Sequence, residues 1–297
     1  MNKKLSLLVL SVLALFISSC NSSKSASKST AAPKLENSLL WKISGNGIEK
    51  PSYLYGTIHL TCDYKYTDKL KKAFDETDRL VLEIDMTDPK LQANMMKLIF
   101  MKEGKTIQGL MNEEDYQTLS DFFKEQVGIN LKMFNTMKPF AITATLTSKM
   151  AVCDNGTAYE TEFMKIAKEQ EEDVIGLETI EDQMNVFDKI PYEEQLKSLV
   201  EMATTGMEES KKSFEEMTKY YNAEDLEGLL SVMTEQGLEA DFQESLVDQR
   251  NRNWIPLIEN ITKEAPAFIG VGALHLPGEQ GVINLLRKQG YTVEPVY

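Results

Sequence analysis

The sequence is poor in the residues on which familiar catalytic motifs depend. It has two histidines and three cysteines among 297 residues. It contains no His-Glu-x-x-His, no Gly-x-Ser-x-Gly, no phosphate-binding glycine loop and no Cys-x-x-Cys pair. These absences exclude zinc-peptidase helices, serine-hydrolase elbows and nucleotide-binding loops of those types. Any chemistry that needs an imidazole must draw it from His59 or His275.

Basic residues are also fewer than acidic ones. The chain carries 46 acidic against 32 basic residues, which gives a formal net charge of −14. So acidic a protein disfavours nucleic acid and anionic bilayer surfaces as partners, because their phosphates repel it. We therefore expect a peptide or a small molecule as the substrate, and no nucleic acid.

Long apolar runs are missing except near the N-terminus. Residues 5–17 form one such run behind Lys3 and Lys4. It is shorter than the roughly 20 residues that cross a bilayer, and it has the length of a signal-peptide core. The following Ile17-Ser18-Ser19-Cys20 resembles the lipobox at which bacterial lipoproteins are cleaved and lipidated.

These features predict a lipoprotein with three segments. Residues 1–19 are a signal peptide, residues 20–37 are a polar tether, and residues 38–297 are the folded domain. The protein is expected in the bacterial cell envelope, outside the cytoplasm, and in contact with the membrane only through lipid on Cys20. Two cysteines then remain, Cys62 and Cys153, and they either pair or stay as structural thiols.

Strand and helix patterns alternate at both ends of the chain, around a helical middle. Strands are predicted at residues 39–44, 51–55, 79–85, 173–178, 267–271 and 291–296, and helical insertions at about 89–150 and 190–257. Residues 53–85 and 267–296 share one plan: strand, Gly-x-x-His, helix, strand. We therefore predict an α/β fold with a central, largely parallel sheet built from these two units, and the helical middle as a cap or side domain.

Each histidine stands three residues after a glycine that follows a strand-like run. The pairs are Gly56 with His59 and Gly272 with His275. A glycine lets the chain turn tightly at the strand end, and ligand sites in such sheets lie beyond the carboxyl ends of the strands. Neutral imidazoles are common ligands of divalent metals. The alternative is that both histidines only pack at the starts of loops.

A catalytic metal site normally includes a carboxylate as well. Glu83 is the first choice, because an acid in a buried strand is costly unless it is paired or ligating. Glu178 ends another strand and serves as ligand or general base. Arg250 either binds a substrate carboxylate, stabilises an oxyanion or pairs with a neighbouring acid. Glu160 is a weaker candidate.

Several of these segments, in the same order, resemble the landmarks of the TraB/GumN family. They are Tyr53-Leu54-Tyr55-Gly56-Thr57-Ile58-His59, residues 80–85, Gly176-Leu177-Glu178-Thr179, Arg250-Asn251 with Trp254, and residues 271–278. The family is related to the Tiki metalloproteases, and more distantly to erythromycin esterases and ChaN haem-binding lipoproteins. The chain departs from the pattern after Gly156, where many members carry an acid and this chain has Ala158.

The resemblance implies an α/β fold with its site at the sheet edge. It also implies that His59, His275 and Glu83 correspond to the metal-binding elements, with manganese or cobalt preferred over zinc. The resulting hypothesis is a metal-dependent, peptidase-like hydrolase, with Glu178 as general base and Arg250 steadying the oxyanion. The alternative hypothesis is a non-catalytic lipoprotein that binds a peptide or haem on the same scaffold.

Overall fold

Six strands form one mixed sheet in the computed structural model, which describes residues 34–148, 156–235 and 243–297. The predicted signal peptide, Cys20 and Cys153 lie outside the described residues. The strands are β1 (Leu40–Gly45), β2 (Ser52–Thr57), β3 (Arg79–Ile84), β4 (Asp173–Glu178), β5 (Ala267–Gly272) and β6 (Tyr291–Pro295). Their order across the sheet is β4-β3-β5-β2-β1-β6.

Four neighbouring strands of the sheet are parallel. β4 pairs with β3, β3 with β5, and β5 with β2, all in parallel, whereas β1 is antiparallel to both β2 and β6. The prediction of a largely parallel sheet is therefore confirmed. The two predicted units are interleaved rather than side by side: β5 lies between β2 and β3, and both β2 and β1 lie between β5 and β6.

The described residues contain twelve α-helices. They are α1 (Asp68–Asp75), α2 (Leu91–Leu98), α3 (Ile107–Leu110), α4 (Glu113–Val127), α5 (Pro139–Thr147), α6 (Tyr159–Glu169), α7 (Ile180–Phe187), α8 (Tyr192–Thr205), α9 (Glu208–Asn222), α10 (Leu226–Glu235), α11 (Gln249–Glu264) and α12 (Val282–Lys288). A π-helical turn, Glu244–Asp248, leads directly into α11. A short 3₁₀ turn, Ala273–His275, follows β5. Among the described residues, no helix has the length and apolar character needed to cross a membrane.

Local sequence signals explain the first elements. The turn between β1 and β2 holds Gly45, Asn46 and Gly47 at φ values of 80°, 46° and 84°, a conformation that glycine and asparagine tolerate best. Helix α1 begins at Thr67, whose hydroxyl accepts a hydrogen bond from the backbone N–H of Leu70. This turn and this N-cap agree with the predicted strand pair and helix.

Buried apolar side chains form two clusters. The larger one surrounds the sheet, where Phe74 of α1 stacks on Phe268 of β5 with ring centroids 3.9 Å apart. The smaller one joins α3, α4, α5 and α8 through side chains such as Phe123 and Leu199. Helices α3, α4, α5 and α8 therefore have a core of their own, whereas α9, α10 and α11 pack against the sheet.

Candidate functional site

Four of the predicted residues lie at the carboxyl ends of the four parallel strands. Glu178 ends β4, Glu83 is the penultimate residue of β3, His275 follows β5 and His59 follows β2. The strand register aligns these ends, because Ile84 is opposite Glu178 and Thr57 is opposite Gly272. Residues far apart in the sequence thus meet along one edge of the sheet, as expected for a ligand site in an α/β protein.

His275 is buried and held in one orientation by Asn251 of α11. Its Nδ1 lies 2.6 Å from Asn251 Oδ1, and the side chain is 7% exposed. The amide nitrogen of Asn251 donates to the carbonyl oxygens of His275 (3.2 Å) and Gln280 (2.8 Å). The amide oxygen must therefore face the imidazole, so Nδ1 carries the proton and Nε2 carries the lone pair. Burial lowers the pKa of His275 to about 4, so the ring is neutral at pH 7.

Arg250, which precedes Asn251 in α11, connects three of the predicted residues. Its Nη2 donates to Glu83 Oε2 and to Glu178 Oε1, each at 2.6 Å. Its Nη1 lies 3.1 Å from the Nε2 of His275 and 2.8 Å from the carbonyl oxygen of Leu246. The site is therefore built around a buried guanidinium.

Glu83 is ionised in spite of its burial. Burial alone would raise its pKa, but electrostatic interactions with His275, Arg250 and His59 lower it to about 2. Its Oε1 also accepts a hydrogen bond from the backbone N–H of Gly272 at 2.8 Å and lies 3.8 Å from His275 Nε2. The β3 carboxylate is thus fixed directly beside the second Gly-x-x-His turn.

Glu178 is a second carboxylate partner of Arg250. Arg250 Nε is 3.1 Å from each oxygen of Glu178, and the indole N–H of Trp254 donates to Oε2 at 3.2 Å. The amide of Gln183 on α7 bridges Glu178 and Glu83 at 3.3 and 3.1 Å. Burial raises the pKa of Glu178 in spite of the arginine. Its nearest contacts thus make it a partner of Arg250.

His59 belongs to a second hydrogen-bonded group at the same edge. Its Nδ1 lies 2.9 Å from Glu160 Oε1, and its side chain is 72% exposed. The hydroxyl of Thr57 donates to the same oxygen of Glu160 at 2.5 Å. The hydrogen bond to Glu160 raises the pKa of His59 to about 9, so this exposed ring is protonated at pH 7. Glu160, the weakest candidate in the sequence, is therefore the direct partner of one predicted ligand.

A backbone pairing attaches the His59 loop to the segment before α6. The backbone of Thr61 exchanges hydrogen bonds with Thr157 at 2.8 and 2.9 Å. Cys62 is disulfide-bonded, and its partner lies outside the described residues. The loop that carries His59 is thus held by backbone bonds and a covalent bond as well as by Glu160.

The two motif glycines provide space rather than an unusual backbone conformation. Gly56 and Gly272 are not among the positive-φ glycines. A β-carbon on Gly56 would lie 3.0 Å from Ala273 Cα, and one on Gly272 would lie 3.3 Å from Glu83 Oε1. The expected tight turn is therefore not the reason for glycine. Each glycine allows the close approach of the neighbouring motif or of the buried carboxylate.

The donor groups suit a divalent cation chemically, although the described residues contain no ready group of three acidic, histidine or cysteine side chains that could hold one. Both imidazoles use Nδ1 for a hydrogen bond to a side-chain oxygen. The Nε2 of neutral His275 therefore has a free lone pair, and the Nε2 of His59 gains one when that ring loses its proton. The second oxygen of Glu160 is buried without a hydrogen-bond partner. Glu83 and His275 already face a positive charge, that of Arg250. The residues therefore fit a metal on donor chemistry.

Sequence reasoning missed the roles of Asn251, Gln183 and Trp254. One signal was available: Arg250, Asn251 and Trp254 all lie on the buried face of α11, where consecutive polar residues are unexpected. Gln183 gave no such signal. Its role depends on how α7 turns back over the end of β4.

Fold and site together define an α/β protein with a cluster of histidines, carboxylates and one arginine at the carboxyl edge of its parallel strands. The chain belongs to the TraB/PrgY/gumN family, which it matches over residues 39–295. No solved structure matches the chain significantly.

Curated relatives of the chain include Tiki metalloproteases. The chain is 23% identical to metalloprotease TIKI1 of Danio rerio, over 87% of this chain and 63% of that protein. It is 23% identical to metalloprotease TIKI2 of the same fish, over 87% and 61%, and 22% identical to human metalloprotease TIKI1, over 87% and 62%. The chain spans about three-fifths of the length of these relatives.

Proposed function

We propose that the chain is a metal-dependent, peptidase-like hydrolase anchored by lipid in the bacterial cell envelope. One observation carries the hydrolase part. Two imidazoles from neighbouring strands, each oriented through Nδ1, lie at the same sheet edge as the buried carboxylate of Glu83. Metal-ligating histidines commonly have their other ring nitrogen bound in this way. The named activity of the Tiki relatives agrees with this reading.

His59, His275 and Glu83 are the proposed ligands, with manganese or cobalt preferred over zinc. A bound divalent metal would supply an activated water and polarise the scissile carbonyl. Asn251 keeps the Nε2 of His275 unprotonated, and Glu160 orients the ring of His59, which must lose a proton before its Nε2 can bind a metal. Glu83 stays ionised because its pKa is lowered to about 2. These contacts hold the donor atoms in place before a ligand arrives.

Arg250 and Glu178 are proposed to act together. Arg250 lies beside Glu83 and His275, so N–H groups that it withdraws from these two residues could stabilise negative charge on a substrate oxygen. Glu178 remains a candidate general base, since burial raises its pKa towards the range useful for proton acceptance. Its oxygens are engaged by Arg250 and Trp254, so positioning the arginine is the role that its contacts support most directly.

The test of this proposal is metal analysis of the purified soluble domain, followed by cleavage of a peptide library with and without added Mn²⁺ or Co²⁺. His59→Ala and His275→Ala should each remove bound metal, cleavage and the rise in melting temperature on adding metal. Asn253→Ala, an exposed change on α11, is the control. A wild-type protein that neither binds nor responds to any divalent ion would refute the metallohydrolase.

The anchoring part has its own test. Cys20→Ala should abolish lipid labelling and release the protein from the membrane fraction. Ser19→Ala keeps a small residue before the cysteine and should leave labelling unchanged. A Cys20→Ala protein that is still labelled and membrane-bound would refute lipidation at this residue.

A second candidate function is binding of a peptide or haem without turnover. It is favoured by the buried guanidinium, which already compensates the charge of Glu83 and Glu178. Saturable binding of a peptide or of haem, with no cleavage under any metal condition, would support this function over hydrolysis.

A further inference from the structure

Arg250 has two sets of contacts that serve different purposes. One set joins it to Glu178, Leu246 and Trp254, and the other joins it to Glu83 and His275. We propose that Arg250 is a displaceable counter-cation, which occupies the proposed metal ligands and must release them when the metal binds. The inference rests on the proposed metal site.

The first set is an anchor that does not involve the proposed ligands. Arg250 Nε is 3.1 Å from both oxygens of Glu178, its Nη1 donates to the Leu246 carbonyl at 2.8 Å, and its guanidinium lies 4.8 Å from the Trp254 ring centre. Trp254 in turn donates to Glu178 at 3.2 Å. A guanidinium held by a carboxylate, a carbonyl and an aromatic face is strongly positioned. These contacts with Glu178, Leu246 and Trp254 can persist when Arg250 releases Glu83.

The second set uses the atoms that a metal would need. His275 Nε2 has one lone pair, because Asn251 fixes the proton on Nδ1. That lone pair faces Arg250 Nη1 at 3.1 Å. It cannot accept a hydrogen bond from arginine and bind a metal at the same time. The Arg250–His275 contact must therefore break when His275 becomes a ligand.

The charges at Glu83 also indicate that Arg250 must move when a metal binds. Its Oε2 accepts hydrogen bonds from Arg250 at 2.6 Å and from Gln183 at 3.1 Å, and its Oε1 accepts one from the backbone of Gly272. Arginine keeps its charge in proteins, so it cannot avoid repulsion from a metal by losing a proton. A small rotation of the guanidinium towards Glu178 would free Glu83 and retain the anchor. Glu178 is then the carboxylate that receives the displaced charge.

The experiment measures Mn²⁺ affinity by calorimetry, together with the melting temperature of the metal-free protein. Arg250→Met keeps the length of the side chain and its packing on Trp254 but removes the competitor. We expect Mn²⁺ to bind on the order of tenfold to a hundredfold tighter, as follows from the strength of one or two hydrogen bonds to charged groups. The metal-free variant should melt at a lower temperature, and added Mn²⁺ should raise that temperature by more than in the wild type. Arg252→Met, which removes an exposed partner of Glu244, is the control and should change neither quantity.

Glu178→Gln should have the opposite effect on affinity. The displaced guanidinium would then have no carboxylate to receive it, so Mn²⁺ should bind more weakly than in the wild type. If Arg250→Met does not fold, Arg250→Lys provides the same test, because the shorter ammonium cannot reach Glu83 and His275 together. It should bind Mn²⁺ more tightly than the wild type.

The outcomes separate this inference from the proposed function. Equal or weaker Mn²⁺ binding by the Arg250 variants, with normal binding by the wild type, overturns the displaceable role and leaves the metal site standing. Binding by Arg250→Met alone would show that Arg250 blocks the ligands permanently, which overturns both the displaceable role and a metal site in the native protein. Binding by neither protein overturns both.

Discussion

Asn251 Oδ1 lies 2.6 Å from His275 Nδ1, while the amide nitrogen of the same asparagine is held by two backbone carbonyls. The two carbonyls determine which way the amide faces, and the amide determines which ring nitrogen carries the proton. A residue that touches no ligand thus decides whether His275 can become one.

Asn251→Ala should lower the free energy of unfolding by about 1–3 kcal/mol, because a buried N–H of His275 loses its acceptor. Urea unfolding measures this loss, and Asn253→Ala on the exposed side of α11 should stay within about 0.5 kcal/mol. Since the chain has two histidines, ¹⁵N NMR of the imidazoles resolves each ring. Wild-type His275 should be protonated at Nδ1. An Nε2-protonated His275 would contradict the assigned amide orientation.

Gly56 and Gly272 should respond differently to an added methyl group. In Gly56→Ala the new carbon would lie 3.0 Å from backbone Cα of Ala273, so the two motifs must move apart, at a cost of about 1–3 kcal/mol. In Gly272→Ala it would lie 3.3 Å from Glu83 Oε1, a side-chain atom that can shift. The free energy of unfolding of Gly272→Ala should fall by less than about 1 kcal/mol, but this variant should bind Mn²⁺ more weakly than the wild type. Chemical denaturation and calorimetry of the pair test this order, and equal destabilisation would contradict it.

Glu172, away from the candidate site, should make stability depend on pH. Burial, followed by the charge of Asp78, raises its pKa from 4.5 to about 7, and its Oε2 has no hydrogen-bond partner. The folded protein therefore binds more protons than the unfolded chain between these values, so this contribution to stability falls as pH rises from about 4.5 to 7. Partial exposure limits the effect to about 1 kcal/mol. Glu172→Gln should be more stable than the wild type at pH 8 by that amount and equal at pH 4, whereas Glu169→Gln should show no such difference.

Substitutions of Lys138 and of Asp188, which form an ion pair in the helical middle, should lower the free energy of unfolding by different amounts. The ammonium lies 2.5 Å from Asp188 Oδ1, and the lysine side chain is 1% exposed against 25% for the aspartate. Asp188→Asn leaves a buried charge without its counter-ion and should cost about 3–5 kcal/mol. Lys138→Met leaves a carboxylate that water can reach, so it should cost clearly less. Urea unfolding of both variants measures the difference, and a reversed order would show that packing rather than charge dominates here.

Much of the fold could be predicted because its signals are local. The strand at residues 173–178 shows a short apolar run ended by an acid. The placement of His59 and His275 after neighbouring strand ends followed from one rule about parallel strands. Each of these inferences needs only a short stretch of chain.

The remainder depends on contacts between distant segments. Nothing near residue 57 indicates that β5, about 210 residues later, pairs with β2 and separates it from β3. The pairing of Glu160 with His59 depends on where α6 begins relative to the β2 loop. In the same way, the sequence suggests Glu178 as a ligand or general base, whereas α11 brings Arg250 against it. The predicted ligand set of His59, His275 and Glu83 remains a prediction.

The central position of β5 has a consequence for synthesis. Strands β2 and β3 leave the ribosome early, yet the place between them belongs to a strand near the end of the chain. Until residues 267–272 arrive, the sheet has a vacant middle, and His59 and Glu83 lack the element that unites them. Such long-range closure is slow compared with local folding. The polar cluster at the sheet edge is therefore assembled last. A nascent or prematurely terminated chain contains some residues of this cluster but not the complete site.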